Sequence, residues 1–134
     1  MTEPGMKIES GSVFTGTSKV ARNFDHDAPL HSDGAAKEAG FKGGLILNEY
    51  HFTQISEMLI ALFGHDWLKQ GEIEIKYLSP LYDGDTFTPK ARFVGIAEQD
   101  SDRCELDVWC ENQDGAVLAQ GSASCLTASL TGWS

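Results

Sequence analysis

Between residues 48 and 64 the apolar positions recur every three or four residues. Phe52, Ile55, Leu59, Leu62 and Phe63 form one stripe, with Tyr50 and Met58 beside it. That spacing predicts an amphipathic helix, with Asn48 as its N-cap and Gly64 as its terminator. The polar side, Gln54, Ser56 and Glu57, is narrow, as expected of a helix wrapped by a sheet. Residues 65–69 add one short turn. After Gly71 the period falls to two. Ile73, Ile75 and Tyr77 alternate with Glu72, Glu74 and Lys76 over residues 72–78. Residues 87–97 read as a further strand, and residues 103–111 put Cys104, Leu106, Val108 and Cys110 on one face. Residues 116–129 read as the last strand, and the small Ala119, Gly121 and Ala123 predict close packing against something bulky. Turns fall at 79–85, at the acidic 98–102 and at the Asn-Gln-Asp-Gly of 112–115. Upstream, the β-branched stretch 12–21 predicts a first strand, behind a loose polar N-terminus over residues 1–11.

Between that strand and the helix lies a loop carrying Asp25, His26, Asp27, His31 and Asp33. Pro29 biases Ala28 away from helix. Ser32 or Asp33 suits the cap of a short helix over residues 34–39 that Gly40 ends, and Gly43 and Gly44 form a turn into the main helix. The order is strand, loop, long helix, then four strands joined by tight turns. The simplest packing is an α+β domain over residues 1–134, one antiparallel sheet around one central helix. A single curved sheet leaves edges open, so a homodimer is expected.

Composition adds limits. The 134 residues are 41% hydrophobic and 22% charged, as in a globular chain. A formal charge of −10 argues against nucleic acid or an anionic membrane as partner. Lys69, Lys76, Lys90 and Arg92 leave room for a local basic patch. The start lacks the pattern of a signal peptide, and no stretch approaches the roughly 20 apolar residues of a membrane span. Cys104, Cys110 and Cys125 are odd in number, without metal-binding spacing, and sit in strand-like segments. They read as buried hydrophobes, and a reducing cytoplasm is the expected compartment.

Several short motifs, in order, resemble the MaoC-type hot-dog enoyl-CoA hydratases and dehydratases. They are Pro29-Leu30-His31, then Asp33, Ala36 and Gly40-Phe41, and downstream Leu78-Ser79-Pro80-Leu81-Tyr82-Asp83-Gly84-Asp85. A poorly characterised acyl-dehydratase branch of that family is similar in further places: Ala21-Arg22-Asn23, Leu30-His31-Ser32-Asp33, Gly40-Phe41-Lys42-Gly43-Gly44-Leu45, Trp67-Leu68 and Pro80-Leu81-Tyr82-Asp83-Gly84. The resemblance covers roughly residues 20–95. It implies a hot-dog fold, a dimer with its site near the start of the central helix, and an acyl thioester substrate on coenzyme A or a carrier protein. No cofactor is expected, and no metal either, since the spacing of His26, Asp27, His31 and Asp33 around Pro29 matches no zinc pattern.

It also implies roles. His31 takes the family's acid/base position. The family's catalytic Asp lies five residues earlier, where this chain has His26 between Asp25 and Asp27, so either Asp is a candidate partner. The glycine whose N–H helps hold the thioester oxygen falls at Asn48, and the histidine before it at Leu47. Gly44, Leu47, Asn48, Glu49, Tyr50 and His51 are therefore the candidate substrate-binding residues, since helix N-terminal N–H groups can polarise a carbonyl. Hydration needs a base for water, an acid at the α-carbon and donors to the thioester oxygen. Two other readings stand beside it. Hot-dog thioesterases carry a carboxylate on the central helix, a place Glu49 approaches. A hot-dog protein that keeps only a ligand pocket fits the departures at His26 and Asn48.

Overall fold

The computed structural model describes residues 8–22 and 49–133, and from the backbone alone at Glu49 and Tyr50. The expected short helix over residues 34–39 lies outside them. In chain order the elements are β1 (Val13–Thr15), β2 (Lys19–Val20), the long helix α1 (Glu49–Phe63), the short helix α2 (Asp66–Gln70), β3 (Glu72–Tyr77), β4 (Thr86–Ile96), β5 (Arg103–Asn112) and β6 (Val117–Leu126). A 3-10 turn, Thr127–Ser129, follows. All strand pairing is antiparallel, in the order β1-β4-β5-β6-β3, with β2 also on β4. No described helix is long and apolar enough to cross a membrane.

Helix α1 spans the expected residues, and Gly64 leaves it at φ 70°. Its buried stripe runs through His51, Gln54, Ile55, Met58, Leu59, Leu62 and Phe63. Two positions correct the expected pattern. Phe52 is 36% exposed, because the buried face is centred on Ile55 and Leu59 and Phe52 falls on its margin. Gln54 is buried instead, and its Nε2 donates to the Thr17 carbonyl at 2.9 Å. The sheet meets this stripe with Cys104, Leu106, Val108 and Cys110, all buried as the alternation predicts. The three thiols are free and buried. Burial pushes Cys104 up to about 11 and Cys110 to about 12, so neither is a thiolate at neutral pH.

The first strand also differs: residues 12–21 form β1 and β2 with a break between them. Pro89 is the cause. Its carbonyl accepts from Gly16 N at 2.8 Å, so its backbone faces β1 and β2, where a proline has no N–H to offer. The Thr17 carbonyl that receives Gln54 lies in that gap. The last strand stops at Leu126, short of the expected 129, and turns into the 3-10 segment. Gly121 is the small residue that close packing demands, but its neighbour is backbone: a Cβ there would collide with the Glu74 carbonyl of β3. The C-terminal tail folds back on α1. Thr131 N and Gly132 N donate to the Leu62 carbonyl at 3.1 and 3.0 Å, and Trp133 packs on Phe14 and Phe93.

Candidate functional site at the start of the central helix

The two ends of α1 are unlike. At the C-terminal end the tail occupies the Leu62 carbonyl, and Gly64 N donates to Ile60 O at 2.7 Å. At the other end Glu49 is the first helical residue. The first N–H groups of a helix have no acceptor within it and carry the positive end of its dipole. Glu49 and Tyr50 are thus placed in the first turn, where substrate binding is expected. Candidates Asp25, His26, Asp27, His31, Gly44, Leu47 and Asn48 lie outside the described residues.

His51 is fully buried on the sheet-facing side of that first turn. Its ring lies against Tyr77, centroids 5.7 Å apart at 52°. Tyr77 is 41% exposed, so this aromatic pair runs from the core to the surface at the end of β3. Tyr77 is the residue that sequence reading missed. Alternation placed it on the inner face with Ile73 and Ile75, but nothing in the local pattern says which helical turn it meets. Leu81, buried in the turn after β3, belongs to the core.

Four charged groups on the outer face of the sheet pair with one another. On the outer face of the sheet, Lys90 Nζ lies 2.7 Å from Glu111 Oε1 and Trp109 Nε1 donates to Glu111 Oε2 at 2.9 Å. The lysine and indole hydrogen bonds hold the Glu111 carboxyl below its ordinary range. Arg92 lies 4.9 Å over the Trp109 ring and 3.3 Å from Asp107. Arg92, Asp107 and Trp109 line a shallow hollow of about 470 Å³.

No protein-family model matches the sequence, and no curated protein matches it. Solved structures do. The R-hydratase PhaJ1 from Pseudomonas aeruginosa aligns with a TM-score of 0.71 at 14% identity, over 92% of this chain and 84% of that one. One sheet wrapped on one helix is shared across almost the whole chain. The chain has the hot-dog fold. The MaoC-like dehydratase from Rhodospirillum rubrum shares this hot-dog architecture at TM-score 0.64 and 18% identity, over 89% of this chain and 92% of that one. So does a mutant of the fluoroacetyl-CoA-specific thioesterase FlK, at 0.56 and 12%, over 89% and 87%.

Proposed function

We propose that this hot-dog protein is a MaoC-like hydratase or dehydratase, adding water across, or removing it to form, the 2,3-double bond of an acyl thioester. The observation that carries the reading is the start of α1. A first helical turn at Glu49, in a fold shared with an R-hydratase and a MaoC-like dehydratase, supports a role for its free N–H groups as donors to a thioester oxygen. The motif around His31 supplies the acid/base.

In hydration, His31 takes a proton from water as the oxygen adds to the β-carbon. Negative charge grows on the thioester oxygen and is held by the helix-start N–H groups, and the protonated His31 returns the proton to the α-carbon. Asp27 or Asp25 orients His31, and His26 takes that place if the loop keeps the family register. Positioned acid/base groups contribute about 10² to 10⁴ in rate, and each oxyanion donor about 10² to 10³.

A second reading draws on the same turn. A Glu at the first helical position supports a thioesterase in which Glu49 activates water or attacks the thioester. Supplying wild-type protein with enoyl-CoA and saturated acyl-CoA of several chain lengths separates the two. Loss of the conjugated enoyl absorbance without release of free thiol is the expected result. Thiol release from saturated substrates supports the thioesterase instead. Turnover of neither class contradicts both and leaves a ligand-binding protein.

A further inference from the structure

Residues 78–85 run from the end of β3 to the start of β4, and the strand order β4-β5-β6-β3 makes them a strap across one end of the sheet. Tyr77, just before the strap, meets His51 in the first turn of α1. Leu78 N and Ser79 N donate to Leu118 O at 2.8 and 3.2 Å, and Leu81 is fully buried, so the strap is pinned along its length. At its far end Ala21 N donates to Asp85 O at 2.8 Å, and Gly84 N donates to Ala21 O at 2.9 Å. Ala21 is itself buried. Residues 23–48, which carry His31, join Arg22 to Glu49. The strap therefore touches the chain beside both ends of that segment.

One carboxylate holds the far end of the strap together. Asp85 Oδ2 accepts from Tyr82 N at 3.0 Å, closing the turn, and Asp85 Oδ1 accepts from Gln113 Nε2 at 3.1 Å. Gln113 Oε1 in turn accepts from Thr86 N at 3.0 Å. We propose that Asp85 is a positioning residue for His31. Through this turn and Ala21 it fixes where the His31 segment starts relative to the first turn of α1. The proposal rests on the hydratase reading of His31. Proton transfer depends steeply on placement, and a misplacement of about 1 Å costs about 10²-fold in rate. The transfer is an interaction of the transition state alone, so its loss lowers kcat and spares KM.

A polarity swap in the full chain tests it without deleting the turn. Asp85→Asn sets an amide against the Gln113 amide, and Gln113→Glu sets a carboxylate against Asp85, so each alone breaks the link. Together, the new amide donates to the new carboxylate, and all three hydrogen bonds return with the net charge unchanged. In crotonyl-CoA hydration each single variant should lower kcat about tenfold or more, with KM within about twofold of wild type, and the pair should restore kcat. Trypsin gives a readout free of the reaction. Cleavage after Arg22 should quicken in each single variant and return to the wild-type rate in the pair, while cleavage after Lys90, in the middle of β4, stays slow. Unchanged kcat in both single variants overturns the proposal. So does a pair that regains slow cleavage after Arg22 without regaining kcat, or cleavage after Lys90 that quickens as much as cleavage after Arg22. Where wild type hydrates nothing, the hydratase reading fails; quickened cleavage after Arg22 then still upholds the link from Asp85 to the segment, and unchanged cleavage overturns it.

Discussion

Glu111 shows how one side chain ties two residues of the sheet surface together. Both its oxygens are occupied, one by Lys90 and one by Trp109, which lowers its folded pKa. A group depressed on folding contributes stability above its unfolded pKa, about 4.3. That contribution fades as pH falls through the lower folded value. Urea midpoints should therefore drop on acidification through this window, and Glu111→Gln should flatten the drop while costing about 1 kcal/mol at pH 7. In the core, Leu59→Ala should cost about 2–5 kcal/mol by the same measurement, since Leu59 is fully buried. Leu59 was legible because helical period alone puts it inward. Gln54 was not. Its burial depends on a carbonyl left in a strand gap by Pro89, a contact remote in sequence that no local pattern records.

At the scale of elements, α1, β3, β4 and β5 follow directly from the change of period at Gly71. The ends of elements were harder. The break between β1 and β2 comes from a proline on the neighbouring strand, and the end of β6 comes from the turn at Thr127–Ser129. The tail is another case. As a sequence it is a few residues after the last strand, yet it covers the end of α1 and inserts Trp133 beside Phe14 and Phe93. Trp133→Ala should lower stability by about 2 kcal/mol. Gly132→Ala should also lower the melting temperature, because its Cβ would meet the Ala61 carbonyl. Differential scanning calorimetry of the two variants checks both. An unchanged melting temperature in each would show that the tail contributes no stability.

For the whole molecule, a sheet wrapped on a helix follows from periodicity, and the shared hot-dog architecture agrees with it over about nine-tenths of the chain. The site is legible in a different way. The helix start can be found from an N-cap and a stripe, whereas the roles proposed for His31 and an Asp partner rest on the order of short loop motifs. Loop geometry is set by tertiary contacts that hydrophobic patterning does not encode. Tyr77 illustrates the gap, since only the folded sheet brings it to His51. The most direct test of the account is the steady-state hydration of crotonyl-CoA by wild type and His31→Ala, with circular dichroism to show that both are folded. The account predicts hydration by wild type and a kcat at least about 100-fold lower in His31→Ala. A measurable wild-type rate that His31→Ala leaves unchanged would contradict it.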